Sequence, residues 1–176
     1  MIAIVVETRA PEQLSDEKEG EKITSWEKQS PNMARYSISR GIIFGAIGGL
    51  AGMIVMDIVM IAEFSIMGLP VDTYLDLIGS VLGGGVPLGA ILHLLLSSLL
   101  GIIFSTAVLT VNVLRISTVR KGAGLGVLAG IVTIPFGCIP FAIITDVPIA
   151  TLVGFSALPH LVYGAVLGIV VSCGLR

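Results

Sequence analysis

The sequence predicts an all-α, polytopic membrane protein, with four transmembrane helices arranged as two tandem helical hairpins about a pseudo-two-fold axis. Three observations lead there. The 176-residue chain is 55% hydrophobic and only 12% charged, where an ordinary soluble domain carries about 25% charged residues. Four apolar runs reach the roughly 18 residues that mark a bilayer crossing. They fall at about 41–66, 88–111, 122–145 and 157–175, and none contains Lys or Arg. Finally, the second and fourth runs share residues in register, as a duplication would leave them.

In chain order, the first 40 residues come before any membrane-length run. They hold six bases (Arg9, Lys18, Lys22, Lys28, Arg35 and Arg40) among acids, with little apolar periodicity. Such a stretch buries too little to order itself, so residues 1–40 are expected to be a cytoplasmic tail, largely disordered, ahead of a transmembrane domain at 41–176. The opening MIAIVVETRAPEQ has a short apolar run with no preceding base, unlike a secretory signal. Residues 32–40 suit an interfacial lead-in helix, with Arg35, Tyr36 and Arg40 at headgroup level.

The remaining bases are Arg115, Arg120 and Lys121, between runs two and three, and Arg176 at the end. The other two loops have no base and carry Asp72, Asp76 and Asp146 instead. By the positive-inside rule both termini are cytoplasmic, and the expected site is the cell (cytoplasmic or inner) membrane. With Glu63, these acids would form an outer mouth that attracts cations. Between the first two runs, residues 70–82 read as a short interfacial helix. Pro70 suits its first turn and Gly83-Gly84-Gly85 ends it, while Leu75, Ile78, Val81 and Leu82 recur at helical spacing.

The duplication is read from AILHLLLSSLLGIIFS (90–105) laid over ALPHLVYGAVLGIVVS (157–172). Ala90/Ala157, His93/His160, Leu94/Leu161, Leu100/Leu167, Gly101/Gly168, Ile102/Ile169 and Ser105/Ser172 agree without a gap. Apolar bias supplies Leu and Ile matches, but not His, Gly and Ser together. GAIGGLAGMIVM (45–56) over AGLGVLAGIVTI (123–134) matches Gly48, Leu50, Ala51 and Gly52 to Gly126, Leu128, Ala129 and Gly130. Two spans per copy keep both copies in one orientation, which makes the repeat parallel.

Residues four apart share a helix face. In span two that face is Gly89, His93, Ser97, Gly101, Ser105; in span four it is Ser156, His160, Gly164, Gly168, Ser172. Span one gives Gly41, Gly45, Gly49, Met53, Asp57, with Gly48 and Gly52 beside them, and span three gives Gly122, Gly126, Gly130, Ile134, Cys138. Small residues at this spacing let helix backbones approach, so these are assigned to packing. Pro135, which aligns with Asp57, and Pro140 should kink the outer half of span three. Cys138 and Cys173 lie inside spans and lack a C-x-x-C pattern, so packing suits them too.

His93, His160 and Asp57 are therefore expected on inward faces as one polar layer, with Asp57 and His93 about 9 Å below the outer interface by helix rise and His160 at that depth or shallower. Buried ionisable groups are costly in lipid and tend to mark function. The set can fix helix register by hydrogen bonding, relay protons, or offer imidazole and carboxylate to a divalent metal. The first reading makes the protein a non-catalytic subunit that assembles with itself or with other membrane subunits. The alternatives are a small proton, cation or solute carrier, and a metal-binding subunit of a membrane enzyme. No catalytic residues emerge. No phosphate-cradling loop follows a strand, and the bases of VRKGAG (119–124) fit the positive-inside role. No cofactor is expected beyond the metal alternative, and the partners are the lipid bilayer and membrane subunits, not nucleic acid.

The segments GAIGGLAGMIVM, LIGSVLGGG and LPHLVYGAVLGIV, with His160, Leu161, Tyr163 and Gly164 in the last, resemble small prokaryotic four-span membrane proteins of the YagU-like and related kinds. The resemblance covers about residues 40–176. It implies a four-helix bundle in a cytoplasmic or inner membrane and carries no activity with it.

Overall fold

The structure, a computed structural model, describes the backbone of residues 14–145 and 147–176, and side chains for residues 38–144 and 147–176. Asp146, expected in the outer acidic mouth, thus lies outside the described residues, as do residues 1–13 of the expected tail. The chain divides into two units, residues 1–36 and 37–176. Its elements are α1 (Leu14–Ile66), α2 (Thr73–Ser80), α3 (Val86–Thr110), a 3₁₀ turn (Asn112–Leu114), α4 (Val119–Thr145) and α5 (Ile149–Gly174). Among the described residues there is no strand.

Four segments are long and apolar enough to cross a membrane: Ile38–Ile66, Val86–Thr110, Val119–Ile144 and Ile149–Gly174. At about 1.5 Å per residue, even 20 residues span a hydrocarbon core of about 30 Å. Several bounds differ from expectation. α1 is already helical at Leu14, the first described residue, rather than from near 41, because apolar periodicity reports burial, whereas the Glu- and Lys-rich stretch ahead of residue 41 is made of good helix formers. α5 begins at Ile149, not near 157; Pro159 sits inside the helix rather than in its first turn. α2 is confined to Thr73–Ser80.

Side-chain size is distributed as lipid, not water, would demand. Ile58 is 61% exposed, Leu96 59% and Phe136 77%, whereas Ser105 and Ser172 are fully buried. Bulky apolar groups cost nothing against acyl chains, while small residues inside let helices close on one another.

The close approaches follow the four-residue series. A Cβ on Gly45 would meet the Gly101 carbonyl, and one on Gly49 the Ser97 carbonyl. Ser105 Oγ donates to the Gly41 carbonyl across the same α1–α3 seam. In α4–α5, Gly122 faces Gly168 and Ser172, Gly126 faces Gly164, and Gly130 faces the His160 carbonyl. The neighbouring face of α1 turns to α5 instead: Gly48 lies against Leu167 and Gly52 against Tyr163. The buried cluster Met56, Tyr163, Leu167 and Val171 fills that α1–α5 contact. Tyr163 also reaches α3, donating its hydroxyl to the Ser97 carbonyl at 2.9 Å.

These antiparallel pairings gather Arg40, Arg115, Arg120, Lys121 and Arg176 at one end of the bundle. Arg40 donates to the Gly174 carbonyl at 2.9 Å, placing positive charge at the C-terminus of α5, where the helix dipole favours it. At the other end α1 closes with Gly68 at φ 68°; Leu69 N–H bonds the Phe64 carbonyl and Gly68 N–H that of Ser65, the paired bonds of a Schellman cap. Gly83, at φ 73°, closes α2 the same way. α4 stays helical through Pro135 and Pro140, which lie on its exposed face.

Candidate functional site: a buried Asp-His-Tyr cluster

Asp57 is four residues beyond Met53 on the α1 face that closes on α3. His93 is one turn before Ser97 on the facing helix. The ladder contacts therefore carry the two side chains toward each other, and His93 Nε2 lies 3.1 Å from Asp57 Oδ1. His93 is the more covered, with 11% of its side chain exposed against 24% for Asp57. The approach is within ion-pair distance but off the line a hydrogen bond requires. Both atoms are buried, and neither makes a hydrogen bond.

α2 supplies the third member. Its glycine face packs on α3, with Gly79 against the Gly85 carbonyl and Gly89 against the Leu75 carbonyl. That seats Tyr74, which is buried, edge-on to His93 with ring centroids 6.1 Å apart. Phe64 of α1 lies 6.1 Å from it on another side. Burial, then the charge of Asp57 and its role as hydrogen-bond acceptor, raise the Tyr74 phenol above its ordinary pKa. The phenol thus keeps its proton, with the Asp57 carboxylate near enough to disfavour its loss. Sequence reading passed over Tyr74. The available signal was a phenol in a short helix otherwise lined by Leu75 and Ile78, since a buried Tyr usually finds a partner for its hydroxyl.

His160 is placed differently. Its Nδ1 lies 2.8 Å from the Ser156 carbonyl of its own helix. That contact needs a proton on Nδ1, since a carbonyl only accepts. Nε2 points toward Gly137 of α4, and Cys138 Sγ donates to Ser156 Oγ beside it at 3.5 Å. His160 makes no hydrogen bond, ion pair or ring contact with Asp57 or His93.

Of the acids, Glu63 is half-buried, and its Oε2 is buried without a hydrogen bond. It stands six residues beyond Asp57, or about 9 Å along the helix. Asp72 and Asp76 are exposed around the start of α2, and Asp72 makes no side-chain cap bond there. Among the described residues, no three His, Cys, Asp or Glu side chains come together as a metal-ligand group.

The pair's chemistry follows from its charge states. With both partners ionised, or with both neutral, it carries no net charge. With imidazole beside carboxylate it carries one negative charge. A single proton or monovalent cation therefore switches the cluster between charged and neutral, at a depth where charge is costly. Family models, curated proteins and solved structures were all compared with the chain, and none matches.

Proposed function

We propose that the protein is a small membrane carrier that loads a proton, or a cation in its place, at the Asp57–His93–Tyr74 cluster. One observation carries the reading: Asp57 Oδ1 and His93 Nε2 are both buried, 3.1 Å apart, and neither has a hydrogen bond. A device that served only to fix register would use its hydrogen bonds. The ladders and the Tyr163–Ser97 bond already hold the helices, which leaves the pair free for exchange.

The acidic end, with Glu63, Asp72 and Asp76, is the approach side for cations. The basic end faces the cytoplasm by the positive-inside rule. On this reading the bundle descends from a duplicated hairpin in which one copy kept the carboxylate. The carbonyl contacts pair Gly45 and Gly49 with the positions of Gly122 and Gly126. On that register the counterpart of Asp57 would be Ile134, where the sequence alignment has Pro135, and neither would offer His160 an acid.

The test is flux in liposomes holding the purified chain and a pH-sensitive dye. An imposed potassium diffusion potential should drive proton entry with the wild type. Asp57→Asn and His93→Gln should abolish it, and His160→Gln should leave most of it. Wild-type liposomes as tight to protons, sodium and potassium as empty ones would reject the carrier reading in favour of an assembly subunit.

A further inference from the structure

A second feature lies away from the cluster, at the basic end. A lateral groove of about 400 Å³ lies between α3 and α4. Leu100, Ile103 and Phe104 line one wall, Leu125, Leu128 and Val132 the other, and Leu114 of the 3₁₀ turn lies at its end. Tyr163 and Thr133 also border it, but their hydroxyls are committed to the Ser97 and Gly130 carbonyls. The walls therefore offer nothing to water. Leu128 and Val132 are more than half exposed, so the groove opens sideways, toward the bilayer.

Its size argues for the kind of occupant. Helices are about 10–12 Å across with their side chains, and a helix seated along the groove would need more room than this. The volume is at the lower end of the roughly 300–1,000 Å³ typical of small-molecule sites, which suits a flexible hydrocarbon chain.

Charge argues for its headgroup. Arg115 directly follows Leu114. Lys121 precedes Leu125 by four residues and Leu128 by seven, so it continues the groove-facing stripe of α4 into the first turn of that helix. Arg115, Arg120 and Lys121 are all exposed, and no acid lies at this end of residues 37–176. Basic pockets between helices at the cytoplasmic face suit anionic lipid headgroups. We infer that the α3–α4 groove holds one acyl chain of an anionic phospholipid, whose headgroup is bound by Arg115, Arg120 and Lys121. This requires the membrane setting, but not the carrier reading.

Native mass spectrometry of the full chain, released from detergent with added dioleoylphosphatidylglycerol or dioleoylphosphatidylcholine, tests it. The phosphatidylglycerol should be retained, with each of Arg115→Gln, Arg120→Gln and Lys121→Gln weakening it by about fivefold. Ala129→Trp and Ala107→Trp fill the groove from opposite walls and should abolish retention, with helicity by circular dichroism as the folding control. If neither Trp variant folds, the three exposed charge variants decide the matter. Equal retention of the two lipids, wild-type retention in a folded Trp variant, or no loss on removing the charges would overturn the assignment. So would a lipid-free dimer that Ala129→Trp breaks, because it would show a second copy in the groove.

Discussion

Asp57 on α1 and His93 on α3 bring Oδ1 and Nε2 to 3.1 Å, yet each of these buried atoms lacks a hydrogen bond. Removing one partner leaves the other's polar group alone in a low-dielectric setting, which is costlier than removing both. Asp57→Asn and His93→Gln should each shift stability by about 1 kcal/mol, near the scale of polar contacts between membrane helices. The double variant should cost less than the sum. A double-mutant cycle from unfolding in mixed micelles measures this, and strict additivity would show the two groups to be uncoupled.

Gly49 and Gly124 should respond in opposite ways. A Cβ on Gly49 collides with the Ser97 backbone, which cannot move without displacing α3, whereas nothing lies within 4 Å of one on Gly124. Gly49→Ala should therefore loosen the α1–α3 seam by several kcal/mol, as overpacked sites do at their worse end. Gly124→Ala should be neutral, or stabilising by up to about 1 kcal/mol through helix propensity. Unfolding midpoints of the two variants in one detergent compare them directly.

The spans and the small-residue seams could be read from the sequence for one physical reason. Lipid imposes long apolar runs, and close helix contact imposes Gly and Ser every fourth residue; both are local patterns. Pairing Asp57 with His93 was partly legible, because Asp57 ends one ladder and His93 belongs to the ladder that faces it. Tyr74 was not, since its place depends on α2 folding back over α3 through Gly79 and Gly89, a tertiary event with no periodic trace. Expecting His160 in the same layer followed from its match with His93. Yet matched positions need not share partners, and the Ser156 carbonyl holds His160 instead. The face of α1 that Gly48 and Gly52 turn to α5 was grouped with the other glycines, although a shift of three residues from Gly45 and Gly49 turns it to a different helix.

Tyr163→Phe removes the hydroxyl that joins α5 to the Ser97 carbonyl at 2.9 Å while keeping the ring in the Met56–Leu167–Val171 cluster. The loss should be about 1 kcal/mol, the usual net value of such a bond, with helicity unchanged. Tyr163→Ala should cost about 3 kcal/mol or more, because it also empties a buried ring site. Thermal unfolding of both variants separates the bond from the packing. Equal effects would mean the hydroxyl contributes nothing.

Tyr74 predicts a loss of stability in alkali. Its phenol is raised above the ordinary value of 10.0 by burial and by Asp57, so the folded state holds its proton to higher pH than the unfolded state does. Above pH 10 the unfolded chain binds fewer protons at this residue than the native one. Stability then falls as pH rises, and below that pH the contribution is complete. Unfolding midpoints measured from neutral pH into this window should decline for the wild type and decline less for Tyr74→Phe. Parallel curves for the two proteins would place Tyr74 in water with an ordinary phenol, and would detach it from Asp57.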